Sequence, residues 1–277
     1  MPAPIRNLVI VLGDQLDIDA LVLGDDEFDR AQDAVWMAEV VGESKYVPSH
    51  KTRSALFLAA MRHFRDELRA SGVRVYYRDT ATTMAAGHNS LTDALTADLD
   101  ELRPERLRMT APGEYRLLRD FQELAAQSEL PIDIRPDQHF FDMVRDFREY
   151  ARGRKSLILE FYYRELRKRT GYLMEAEGKP LGGKGNYDAE NRESFGKTAP
   201  EIPAPRGFAP DKVTRAVLEE VAGVYEDHPG ELGDFDWPVT RADARLALAD
   251  FIEHRLPLFG KYQDALYTGE VFLYHSR

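Results

Sequence analysis

The chain has 277 residues, with 37 Lys and Arg against 48 Asp and Glu and a net charge of −11 at neutral pH. Its mean field repels a phosphate backbone, so any nucleic-acid contact has to come from a local basic patch or a partner domain. Cysteine is absent, which excludes disulfides, thiolate nucleophiles, Cys-ligated zinc and iron–sulfur ligation by these residues.

Residues 5–12 form a nearly continuous apolar run that ends at Gly13-Asp14, the pattern of a strand buried on both faces. Residues 34–38, 73–77, 107–110 and 132–134 repeat it. Between the second and third runs, Leu56, Ala60, Phe64 and Leu68 recur every four residues, predicting a helix from about Ser49 to Ser71 with Gly72 as a left-handed stop. Ser90 is placed to cap a helix carrying Leu91, Ala94, Leu95, Leu99 and Leu102 that stops at Pro104. A further helix, Tyr115 to Ser128, precedes the fifth run. Strands alternating with helices imply right-handed crossovers and a Rossmann-like, doubly wound parallel sheet of five strands. From Phe141 onward the strand signals cease and helical patterns follow at 142–152, 156–170, 211–225 and 240–256, making an all-helical region. The Gly- and Pro-rich stretch 178–210 is too long for an ordinary connection and reads as a functional or inter-domain loop. The expected division is 1–138 as the α/β domain, 139–210 as helices and long loop, and 211–277 as the start of a helical domain. No cleavable leader pattern and no apolar run of about 20 residues is present, so a cytoplasmic chain without membrane contact is expected.

Open α/β sheets bind ligands at the carboxyl ends of their strands. Gly13-Asp14-Gln15 lies at that edge, without a Gly-x-Gly-x-x-Gly spacing, and is read either as a ligand loop or as a plain turn. Glu39 and Glu43 follow the second strand, and Tyr46, His50 and Lys51 lead into the next helix. This group suits a planar heterocycle, although helix capping and surface solvation account for it more simply. Between Arg145 and Arg169, nine basic residues are interleaved with Phe147, Tyr150, Phe161, Tyr162 and Tyr163. That mixture suits a phosphate backbone with splayed bases. Asp146, Glu149, Glu160 and Glu165 at helical spacing suit an intramolecular ion-pair lattice as well. The seven histidines form no ligand pair and no nucleophile elbow or phosphate loop occurs, so no metal site, hydrolase or kinase is expected. An adenylyl-transfer domain is disfavoured by the same absence after strand one.

Ordered segments along the chain resemble one family. They are Leu12–Leu16, Ala38–Val40, Glu43–Val47, Ala60–Phe64, Pro112–Arg116, Ala151–Lys155, Glu160–Glu165 and Tyr187–Arg192. Together they are similar to the bacterial photolyase-related proteins, which comprise prokaryotic (6-4) photolyases and iron–sulfur bacterial cryptochromes. The resemblance implies an amino-terminal antenna domain that holds 6,7-dimethyl-8-ribityllumazine and a helical domain that holds FAD. Matched to this sequence, the antenna pocket uses Gly13, Asp14 and Gln15, Glu43 as polar anchor, and Tyr46 and Phe57 near the ring. Lys179, Lys184, Asn186 and Tyr187 fall on a loop that meets damaged DNA, although Lys184-Gly185 stands where the family carries Arg or Lys followed by Trp. Tyr262, His275, Ser276 and Arg277 match the opening of the flavin site, where a helix amino terminus meets phosphates. The rest of that site, and the cysteines of the iron–sulfur cluster, are expected further on. The chain is therefore expected to be the antenna half of a light-driven DNA photolyase, inactive by itself and contributing no catalytic residue. The alternative is a cryptochrome-like blue-light receptor or a stand-alone lumazine or flavin carrier.

Overall fold

The five apolar runs lie side by side as one parallel sheet in the computed structural model, which describes residues 4–24, 28–198, 200–270 and 273–275. The strands are β1 (Asn7–Ile10), β2 (Ala34–Ala38), β3 (Val75–Arg78), β4 (Arg106–Thr110) and β5 (Ile132–Arg135), in spatial order β3-β2-β1-β4-β5. β1 is central: Leu8 pairs with Ala34 on one side and with Leu107 on the other. The helices of this half are α1 (Leu21–Gly24), α2 (Val41–Lys45), α3 (Lys51–Ala70), α4 (Thr80–Ala85), α5 (Leu91–Leu102) and α6 (Tyr115–Gln127).

Apolar residues run without alternation through β1 and β2 because both faces of the sheet are covered. Leu8, Ile10 and Trp36 pack with Leu95 and Leu99 of α5 and with Phe121 and Leu124 of α6. On the other face, Val9, Val35 and Met37 share a core with Leu58, Phe64 and Leu68 of α3. The helix ends follow local chemistry. Ser90 Oγ accepts from the Asp93 amide at 3.0 Å while the Asp93 carboxylate accepts from the Ser90 amide at 3.1 Å, a reciprocal cap. Gly72 adopts φ +84° just past α3, as its position predicts.

The second half supplies α7 (Val144–Ala151), α8 (Leu159–Thr170), α9 (Lys212–Val224), α10 (Arg241–His254) and α11 (Leu256–Phe259). Contacts divide the chain into two compact units, Met1–His139 with Phe208–Thr240 and Phe140–Gly207 with Arg241–Arg277. Within the first unit, α9 lies along α3. Val217, Val221 and Tyr225 are all but fully buried in the core they share with Leu58 and Phe64. α9 is therefore firmly packed, because α3 itself provides the apolar surface that its stripe requires.

The second unit is helical and has its own side-chain clusters. Tyr162 sits between Phe147 and Tyr150, with centroids 5.1 and 4.7 Å away, and its hydroxyl donates to Asp142, which also pairs with Arg169 at 2.7 Å. Part of the long loop is folded, through a bridge between Met174 and Pro180 and short 3-10 turns at Leu181–Gly183 and Asp188–Glu190. Among the described residues no helix is long and apolar enough to cross a membrane.

Candidate functional site

From β1 the chain passes to β2 and β3 on one side, and it later returns to β4 and β5 on the other. A crevice opens where the winding reverses, beyond the carboxyl ends of β1 and β4. There the first unit has a cavity of 340 Å³, inside the range of small-molecule sites. Its apolar walls include Leu12, Phe57, Leu58, Met61 and Leu117, and its polar groups include Asp14, Glu43 and Arg116.

Of the six residues expected around an antenna ring, Gly13, Asp14, Glu43, Tyr46 and Phe57 line this cavity. Gln15 does not. Its Nε2 donates to the Ala111 carbonyl at 2.9 Å, tying the loop after β1 to the loop after β4, and its Oε1 is buried without a partner. Gln15 thus braces the crevice from behind.

Glu39 borders the cavity through β2, yet its carboxylate is consumed by the scaffold. It accepts from Arg62 Nε and Nη2 at 2.7 and 2.8 Å, from the Thr80 amide at 2.9 Å, from Thr80 Oγ1 at 2.7 Å and from the Tyr77 hydroxyl. Burial, with Glu39 beside it, pushes the Tyr77 phenol above its ordinary range. Glu43 differs. It stands half-exposed on α2, and both of its oxygens meet Arg116, with Nη1–Oε1 at 3.2 Å and Nη2–Oε2 at 2.5 Å. The Arg116 guanidinium also donates to Glu114 at 2.7 Å and lies 5.0 Å from the centroid of the Tyr46 ring. Hydrogen bonds to Glu43, then to Glu114, raise its pKa above the ordinary arginine value, so it is a fixed cation. Arg53 lies 5.4 Å from the Phe57 centroid on the same helix.

Arg116, Arg53 and Met61 were not singled out by sequence reasoning. Arg116 opens the helix after β4, and that position on the ligand edge was the available signal; its partner is 73 residues away. α9 and the turn after it also reach this site. The Tyr225 hydroxyl shares a hydrogen bond with Ser44, and His228 Nδ1 lies 2.9 Å from the Ser49 carbonyl.

A sequence profile described as deoxyribodipyrimidine photo-lyase-related protein matches residues 9–237. The chain belongs to this photolyase-related family. It is 41% identical over 272 residues to a (6-4) photolyase of Agrobacterium fabrum (strain C58), covering 98% of this chain and 52% of the relative. The chain thus spans about half the length of the curated relative it matches. For this photolyase-related chain, the remaining expected residues fall in the second unit. Tyr262 is half-buried and stacks on Phe195 at 4.4 Å and on Tyr274 at 5.7 Å, and His275 meets the edge of Phe259 at 5.3 Å. Ser276 and Arg277 lie outside the described residues. Lys179 pairs with Glu177 and Lys184 with Glu190, each at 2.7 Å. Asn186 caps the Asp188 amide at 2.7 Å, and the Tyr187 hydroxyl donates to the Gly182 carbonyl at 2.9 Å. These four residues therefore organise the loop itself. In the basic segment, Arg145, Arg164, Lys168 and Arg169 each pair with a nearby carboxylate, so the ion-pair lattice describes them.

Proposed function

We propose that the chain is the antenna portion of a light-driven, flavin-dependent DNA repair protein acting on pyrimidine (6-4) photoproducts. The observation that carries this reading is the cavity at the winding reversal, where Gly13, Asp14, Glu43, Tyr46 and Phe57 converge. A slot with apolar walls and charged groups at its rim suits a planar heterocycle that carries polar substituents, here 6,7-dimethyl-8-ribityllumazine. When bound, that chromophore would supply near-ultraviolet and violet absorption and pass excitation to FAD. Phe57, Leu58 and Met61 would flank the ring and exclude water, while Glu43 and Asp14 would accept hydrogen bonds from its hydroxyl and N–H groups. Tyr262, His275, Ser276 and Arg277 would contribute to the FAD site, and Lys179, Lys184, Asn186 and Tyr187 to contact with damaged DNA in the cytoplasm.

One observation favours repair-independent photoreception as a second reading. Gly185 stands where the family carries Trp, so the loop has no aromatic side chain at that position on which a base could stack. The deciding experiment is the absorption spectrum and the mass of the extracted cofactor for the purified chain, beside a Glu43→Ala variant. A violet-absorbing ribolumazine released by the first and missing from the second supports the antenna reading. A chain that stays colourless after incubation with ribolumazine removes it. Illumination of the protein that carries this chain with a (6-4) photoproduct then separates repair from photoreception.

A further inference from the structure

Glu43 and Arg116 sit on two different helices, α2 and α6, and both line the crevice. α2 spans five residues and has no side-chain amino-terminal cap. Arg116 places a nitrogen on each Glu43 carboxylate oxygen and pairs with Glu114 as well, which holds the Glu43 side chain in one orientation. The same guanidinium underlies the exposed ring of Tyr46. Two-point Arg–carboxylate contacts define orientation as well as energy, which a lysine cannot reproduce.

The clamp has a definite polarity. A carboxylate accepts about four hydrogen bonds, and Arg116 supplies two to Glu43. Glu43 lines the cavity, so its remaining lone pairs are available there as acceptors. The Arg116 nitrogens are largely occupied by Glu43 and Glu114, with Asp120 a further 3.8 Å away. At the rim, Asp14, Glu43 and Glu114 face Arg53 and Arg116, so carboxylates outnumber cations. Such a rim welcomes hydroxyl and N–H donors and repels a phosphate.

We propose that Arg116 is a positioning residue that presets Glu43 and Tyr46, making the pocket select an uncharged, hydroxyl-bearing heterocycle over its phosphorylated counterpart. This rests on the antenna reading above and adds the ligand's charge class and the residue that sets it. Ribolumazine and riboflavin serve as neutral probes, and flavin mononucleotide as riboflavin with one phosphate added.

The test is a fluorescence titration of the purified chain with all three probes, repeated for Arg116→Gln, Arg116→Lys and Glu43→Gln. Thermal melts establish that each variant is folded. For the unaltered chain, flavin mononucleotide is expected to bind at least tenfold more weakly than riboflavin. Arg116→Gln should weaken ribolumazine about tenfold, and Arg116→Lys should not restore it. Glu43→Gln leaves the arginine less compensated, so it should narrow the gap between riboflavin and its phosphate. Equal affinity of riboflavin and flavin mononucleotide for the unaltered chain, or full ribolumazine affinity in Arg116→Gln, would overturn the proposal while leaving the antenna reading intact. If the unaltered chain takes up none of the three, both readings fall together.

Discussion

Arg62 on α3 holds both carboxylate oxygens of Glu39 at the end of β2, at 2.7 and 2.8 Å, and extends Nη2 to Glu220 on α9 at 2.8 Å. With Tyr77 and Thr80 added, this buried network joins β2, β3, α3, α4 and α9. Removing one member of a buried ion pair leaves its partner desolvated. Glu39→Ala is therefore expected to destabilise the first unit by about 3 kcal/mol, the lower part of the usual range because Glu220 still faces Arg62. Urea unfolding measures this, and a loss under about 1 kcal/mol would place the network among surface pairs instead.

Asp33 gives the chain an acid-labile contact. Burial alone would raise its pKa, but Arg6 at 2.7 and 2.9 Å and the amides of Asp29 and Asn7 outweigh burial and hold the carboxyl below its ordinary value. A folded pKa lower than the unfolded one stabilises above the unfolded value, near pH 3.9, and that stabilisation disappears as pH falls through the folded value. Asp33→Asn should thus lower the urea midpoint most at pH 7, with the gap to the unaltered chain shrinking towards pH 2. An equal gap at both ends would assign the effect to packing.

Gly42 precedes Glu43, and a side-chain carbon there would lie 1.9 Å from the Asn89 carbonyl oxygen. Backbone against backbone has no flexible group to give way. Gly42→Ala is expected to cost about 1 to 3 kcal/mol and, on the antenna reading proposed above, to weaken ribolumazine binding with it, since α2 must move. A variant with unchanged melting temperature and unchanged binding would refute the contact.

Much of the first unit could be read from the chain because both sheet faces are buried, which leaves unbroken apolar runs. The run 34–38 is β2 itself, and the reciprocal cap at Ser90 and the stop at Gly72 follow from those residues alone. α1, α2, α4 and α11 are too short to show a helical period. In the site, the ligand edge was legible from strand order, which is how Gly13, Asp14 and Glu43 came into view. The Glu43–Arg116 pairing was not, because pairing across 73 residues is set by how α2 and α6 close on the sheet. Gln15 and Glu39 show the converse. Their positions were right for a ligand, but Ala111 and Arg62 supply their partners, and periodicity contains no information on either. The stripe of α9 announced a buried face without saying that α3 would meet it.

α9 offers a direct test of that packing. Val217 and Val221 have no exposed surface, so Val221→Ala should cost about 2 kcal/mol through lost burial and the cavity left behind. Amide hydrogens of α9 should exchange as slowly as those of β1 and β2. Protection no better than that of the loop around Lys184 would show that α9 is only loosely attached.

The first unit is also discontinuous in sequence, made of Met1–His139 and Phe208–Thr240. As the chain leaves the ribosome, the strands are complete once Arg135 has emerged, yet the α3 face that receives Val217 and Val221 stays wet until all of Phe140–Gly207 has been synthesised. Synthesis at about 5–20 residues per second makes that a delay of several seconds, during which an apolar helix surface is open to chaperones or to a neighbouring nascent chain. The late arrival of α9 turns the last step of building the first unit into a race between self-capture and capture by others.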